Sequence, residues 1–427
     1  MTGPRRGVAA LEYGLQVLGT PRFSAALSTT IVGAAFFSFL IKSLIGWAGL
    51  FAILAGLVLF AALSLIGQRD RLELRGFLPY SLAVFLGWSA ISIFFSQYQW
   101  ATLGGITYQI AFALLGIYVA VARDLIQIVR SVGDVLRVVI GVSLALEILV
   151  GILLDTSFPA LNIQGNIATG GPIQGIMGTR NALGLAALLA LVTFGTELLT
   201  RSVGRLVGVL SLLGASITIV LSQSPVDLIV LGVLGLASLA LLGLRRVPEH
   251  NRRYWLLAVG AVGVVGLVVA YVVRDALLSL IGASGDLKYR LHLWNEIFPF
   301  IQAHSLEGWG WVGQWPVGVS PFSSIGRATV QSSALNAYFD LWFQLGAIGL
   351  AAFLVFAGLA IVRAWILATT KRSRIFVWPA LVLVALAVTS LMESGVLIEW
   401  GWLILVICAV KVAQHVSWRR PRPGDRA

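Results

Sequence analysis

The chain has 427 residues, of which 58% are hydrophobic and 11% charged, with a mean hydropathy of +0.92. A soluble domain carries about 25% charged residues, so charges this sparse cannot cover a soluble surface of this size, and most of that surface faces lipid. The formal net charge of +12 would suggest nucleic acid in a soluble protein, but its placement argues otherwise, because Arg and Lys fall in short stretches between apolar runs, as the positive-inside rule requires.

A membrane span needs about 20 apolar residues. By that measure spans are expected at 24–41, 44–66, 77–95, 101–121, 134–154, 181–199, 204–222, 225–243, 254–272, 338–363, 376–393 and 397–414. The fold class is therefore all-α: a polytopic membrane protein of about twelve transmembrane helices. The expected order is a cytoplasmic segment 1–23, nine spans within 24–272, an extracytoplasmic loop 273–337, three spans within 338–414 and a basic cytoplasmic tail 415–427. The N-terminus lacks the compact layout of a signal peptide, and Arg5, Arg6 and Arg22 mark the inner flank of the first helix.

Alternate connections sort by charge. QRDRLELRG, ARDLIQIVRSVGD, TRSVGR, LRRVPEHNRR and TTKRSR are basic and fall on one side; SQYQW, SQSP and MESGVLIE are nearly free of Arg and Lys and fall on the other. Lys42 is a mild exception. Both termini are expected in the cytoplasm and the chain in the cell membrane. Cys408 lies within an apolar run and, as a lone cysteine, excludes an internal disulfide and a Cys-based metal centre. Glu147 lies within the fifth expected span, and an ionisable group there is a functional candidate by default.

Two outer segments, about 155–181 and 273–337, are longer than connectors need to be. The second holds DLKYRLHLWNEIFPFIQ, in which Leu287, Leu291, Trp294, Phe298 and Ile301 recur at helical spacing. Lys288, His292, Asn295 and Glu296 lie on the opposite arc, as expected of a helix at the membrane surface or capping a bundle. Arg290 sits beside the apolar stripe, where a cation either snorkels to the interface or addresses a partner near the lipid boundary.

At the start of the tenth expected span the chain reads ALNAYFDLWFQLGAIGL: Asn336, nine residues, Gly346, two residues, Gly349. This resembles the motif of O-antigen ligases and Wzy-type polymerases, which is His, then Asn, Ser or Gln, nine residues, then G-x-x-G. Where the family has His, this chain has Leu335. KYRLHLWNEIFPFIQAHSLEGWGW is similar to the family's Arg, Trp and G-x-G segment, GIMGTRNALG to its Gly- and Asn-containing entry to the middle span, and LSQSPVDLI to a Ser-rich turn. The resemblance covers about residues 75–410 and is closest to high-GC Gram-positive members.

The resemblance implies a GT-C-like ligase or polymerase architecture. It also implies transfer of a glycan from a polyprenyl-diphosphate donor to a glycan or lipid acceptor at the outer membrane face, in contact with membrane lipid. Guanidinium groups offset the charge on such a leaving group, and Arg suits diphosphate better than Lys. No cofactor and no metal are expected. Arg290 matches the family arginine and is the expected catalytic diphosphate ligand, with an interfacial anchor as its alternative. Arg327 is a diphosphate candidate by position; Arg180 is another, or a helix-end anchor. Leu335 cannot take a proton, so Asp340, one turn past Asn336, is the candidate base, or is satisfied by a neighbouring Arg. His304 and His292 are substitutes if the loop folds back. Trp309 and Trp311, with Trp294, Trp315 and His304, are candidates for contact with a glycan, or members of an interfacial aromatic belt. Glu393 and Glu399 flank the last outer turn, either paired with loop arginines or wet. Two alternatives to an active glycosyltransferase stay open: a degenerate member that binds or assembles, because of Leu335, and a transporter, because of the span count.

Overall fold

The structure is a computed structural model describing residues 14, 16–69, 79–251, eight positions between 254 and 266, and 284–415 except 317 and 326–331. Among these residues every regular element is helical, and extended pairing is confined to an isolated bridge between Phe158 and Ile163. In chain order the main helices are α1 (Pro21–Phe36), α2 (Ser38–Gly67), α3 (Tyr80–Ile91), α4 (Gln99–Ala122), α5 (Leu125–Ile148), α6 (Arg180–Thr200), α7 (Arg205–Ser222), α8 (Pro225–Leu244), α9 (Ser284–Ala303), α10 (Ala337–Thr370), α11 (Val377–Thr389) and α12 (Glu399–His415).

Seven of them are long and apolar enough to cross a membrane: α2, α4, α5 with its π-helical extension to Leu153, α6, α7, α8 and α10. Tyr80–Phe94 and Arg374–Thr389 are shorter apolar helices. The span expected at 254–272 lies almost entirely outside the described residues. The break between the first two helices falls at Phe37, earlier than expected. α2 then has a second break at Gly46, whose φ of 74° belongs to the left-handed region that glycine enters freely.

The interior is built around α12. Every residue from Glu399 to Val412 is buried, as befits a helix that is apolar all round and walled by other helices. It lies against α4, where Trp402 Nε1 donates to the Gln109 carbonyl at 3.1 Å and Gly116 leaves room for Val406. Phe85, Phe353, Phe356 and Trp402 bring α3, α10 and α12 together in one aromatic cluster.

The segment 155–179 returns into the bundle through three short 3-10 turns. Glu147 explains why it stays there: its Oε1 accepts from the backbone N–H of Gln174 at 2.7 Å and of Gly175 at 2.8 Å. The ionisable group inside the fifth helix is thus an anchor for re-entrant backbone, which at membrane depth needs such partners.

α9 packs along the start of α10, and a second apolar cluster of Leu293, Ile297, Ile301, Val312, Trp315, Phe322, Ile325, Ala334 and Phe343 fills the contact. The expected stripe is corrected by about one residue. Leu291 and Phe298 are exposed, while Arg290, Leu293, Ile297 and Ile301 form the buried row. Apolar side chains occur on most of this helix's circumference, so periodicity alone selects the face poorly.

Candidate functional site

The residues matched by the family motif form a single mechanical unit. Asn336 is the N-cap of α10: its side-chain oxygen accepts from Tyr338 N at 2.9 Å and Phe339 N at 3.1 Å, and its Nδ2 donates to the Leu391 carbonyl at 2.9 Å. A short side chain that satisfies helix-start N–H groups is what this position requires, and Asn, Ser and similar residues supply it. Leu335 precedes it with φ 51°, a left-handed conformation that is uncommon outside Gly and enriched in Asn, Asp and His.

Ten residues on, Gly346 breaks α10 with φ 66°. A side chain there would overlap the Leu306 carbonyl, because the loop backbone inserts into the break. The freed helix groups find partners in that loop: Ala347 N donates to Ser305 O at 2.9 Å, Trp309 N to Phe343 O at 3.1 Å, and Gly310 N to Gln344 O at 2.8 Å. Trp88 Nε1 takes the Leu345 carbonyl at 2.9 Å. The Gly308-Trp309-Gly310-Trp311 segment and the G-x-x-G pair therefore interlock, and both glycines of the loop have positive φ.

Arg290 lies at this junction, 5% exposed. Its Nη1 donates to the Leu335 carbonyl at 2.9 Å and also to the Met392 carbonyl; its Nη2 pairs with Glu393 Oε1 at 3.1 Å. The same Glu393 oxygen accepts from Asn181 Nδ2 at 2.5 Å, and Ser224 Oγ donates to Asn181 Oδ1 at 2.9 Å. A polar chain thus runs from the start of α8 through the start of α6 to the Leu335 turn. Arg180 reaches outward instead and pairs with Asp286 of α9 at 2.9 Å.

Leu335, Asp340, Asn181, Gln314, Ser332, Ser333, Glu393, Ser394, Lys42 and Glu399 share the wall of a cavity of about 280 Å³. Lys42, from the short half of α2 before its break, pairs with Glu399 at 2.5 Å, reaches Gln314 Oε1 at 3.4 Å and lies 4.8 Å over the Trp47 ring. Tyr108 donates to the same Glu399 oxygen at 3.0 Å. This pair was not foreseen as part of the site. The signal was present: a lysine against the expected charge pattern and inside an apolar stretch needs a partner.

Other candidates fall elsewhere. Asp340 reaches the cavity wall, but its oxygens accept from Trp315 Nε1 at 2.8 Å, Ala334 N at 3.0 Å and Gln344 Nε2 at 3.3 Å, so it clamps the loop to α10, and among the described residues no arginine pairs with it. Trp311 is 1% exposed and Trp315 4%, which removes both from any glycan platform and from an interfacial belt. Trp309 donates to the Phe300 carbonyl at 2.9 Å and packs edge-on against His304. His304 Nδ1 meets Glu307 at 2.9 Å, an interaction that holds the Glu307 carboxyl below the usual carboxylate range. His292 is exposed and pairs with Glu296 at 3.3 Å. Neither histidine lines the cavity. Arg327 lies outside the described residues. Among the described residues no group of Asp, Glu, His and Cys has the arrangement of a metal site.

Residues 207–354 match the family described as O-antigen ligase. The chain carries a domain of the O-antigen ligase family. The matched stretch, narrower than 75–410, runs from α7 through α9 and the interlocked loop to the first half of α10. It includes Arg290, Leu335, Asn336, Gly346 and Gly349, whereas Lys42, Arg180, Glu393 and Glu399 lie outside it. No curated protein matches the chain. The O-antigen ligase domain places the protein in surface glycan assembly at a membrane, with lipid-linked glycans as its general class of substrate.

Proposed function

We propose that the chain transfers or polymerises a polyprenyl-diphosphate-linked glycan at the outer face of the cell membrane, crossing it about twelve times with both termini inside. The observation that carries this reading is Arg290, buried at the Leu335 turn and paired with a carboxylate on the cavity wall. In this reading Glu393 and Glu399, both on the wall of one cavity, hold the two cations, Lys42 on the same wall and Arg290 beside the Leu335 turn. A diphosphate replaces a carboxylate as partner more readily for the forked guanidinium than for the ammonium. The tail of the carrier lies against lipid-exposed helix faces, and the acceptor enters from the loop side. Asp340 acts in this reading as a positioning residue. Arg180 fastens α9, and with it Arg290, to the start of α6.

Arg290→Ala is expected to abolish glycan assembly in cells while the protein remains in the membrane at wild-type abundance. A normal polymer length distribution in that variant would overturn the reading.

A second reading, a family member that binds or assembles without transferring, is favoured by one observation: at the family's histidine position stands Leu335, which offers no proton acceptor. The two readings separate with Leu335→His. An increase in glycan product belongs to an active site that has the other parts in place. No increase, together with a dispensable Arg290, belongs to the binding component.

A further inference from the structure

At the end of the bundle away from this cavity, the start of α5, the end of α6, the turn before α11 and the end of α12 enclose a second cavity of about 690 Å³. Lys411, Arg374 and His415 line it, against one acid, Asp124. Asp124 stands at the helix start of α5, where it takes part in a capping box with Gln127. Lys411 is 7% exposed, and its ammonium donates to the neutral Gln414 amide at 3.0 Å. Among the described residues no carboxylate lies within ion-pair distance of it. A buried cation that no carboxylate contacts is unfavourable unless another anion partners it. The turn carrying Arg374 is itself braced, because Arg245 donates to the Ala368 carbonyl at 2.8 Å and to the Arg372 carbonyl at 2.7 Å.

We propose that this cavity binds a phosphate group, with Lys411 at its floor and Arg374 and His415 at its rim. Lys411 supplies a compact point charge and Arg374 a planar fork, a combination suited to phosphate oxygens. Two sources share that chemistry, an anionic phospholipid headgroup and a soluble phosphate. The surroundings favour the lipid: Ile126 and Leu199, both on the cavity wall, are 42% and 57% exposed and offer an apolar surface for acyl chains beside the cations. The proposal is independent of the donor chemistry at the opposite end.

The test uses the full chain in detergent micelles, titrated with phosphatidylglycerol or phosphatidylcholine and followed by native mass spectrometry, with inorganic phosphate measured separately by calorimetry. Phosphatidylglycerol is expected to be retained about tenfold more strongly than phosphatidylcholine. Lys411→Gln is expected to remove that preference and Lys411→Arg to keep it, with both variants eluting as the wild type does. Inorganic phosphate binding lost in Lys411→Gln, without lipid preference, supports the site and assigns it to a soluble phosphate. Absence of both, or equal binding by wild type and Lys411→Gln, overturns the proposal.

Discussion

Leu335 holds a backbone conformation that disfavours its own side chain, and its neighbour Asn336 closes the first turn of α10. A left-handed residue costs about 1–2 kcal/mol relative to its ordinary conformation, and branching at Cβ makes it worse. Leu335→Val is therefore expected to lower the melting temperature, whereas Leu335→Asn is tolerated. Asn336→Ala removes a cap and is expected to lose about 1 kcal/mol, with Asn336→Ser retaining most of it; thermal unfolding of the purified variants measures both. The Lys42–Glu399 pair is subject to a different rule, since both side chains are nearly enclosed. Lys42→Met leaves a buried carboxylate uncompensated and is expected to lose about 3–5 kcal/mol, while Lys42→Met combined with Glu399→Leu recovers much of that loss. Equal destabilisation by the single and double variants would show that the pair has no special coupling. At this scale the sequence was informative about Arg290 and about the absent histidine, because motif spacing identifies both. It singled out Glu399 but offered only loop arginines or water as its partner, whereas the partner is Lys42, 357 residues away.

The central element is the break in α10 and the loop that enters it. Motif spacing reveals that Gly346 and Gly349 matter; only the fold reveals that Ser305 to Gly310 take up the hydrogen bonds released at the break. Gly346→Ala meets both a left-handed φ and an occupied site, and the combined effect is expected to prevent accumulation of folded protein. Gly358, later in the same helix, has open space around its missing Cβ. Gly358→Ala is thus expected to leave stability unchanged or raise it by up to about 1 kcal/mol. Size-exclusion profiles of the two variants check the contrast. Trp311 and Trp315 were misjudged for a related reason: composition cannot separate an aromatic that meets a sugar from one that fills the interior. The buried face of α9 was one residue off because Leu291 and Leu293 are equally apolar, and the contact of Arg290 with the Leu335 carbonyl decides between them.

Across the whole molecule, charge and apolarity are arranged by end. Among the described residues Arg374, Lys411 and His415 line the cavity at one end, and the pairs Lys42–Glu399 and Arg290–Glu393 stand by the cavity at the other. Membrane character and helical class were fully legible, because they depend on composition and run length. Of the long-range pairs by the cavity, a loop arginine on Glu393 was among the stated alternatives, while Lys42 on Glu399 was not, because nothing in the sequence connects α2 with the start of α12. Two carboxylates on one cavity wall, Glu393 paired with Arg290 and Glu399 with Lys42, form the arrangement on which the functional reading depends. Binding of a soluble short-chain polyprenyl diphosphate to the purified full chain, by calorimetry in micelles, tests it most directly. The wild type is expected to bind, with Arg290→Gln weaker by about tenfold or more. Equal affinity in wild type and Arg290→Gln would contradict the account.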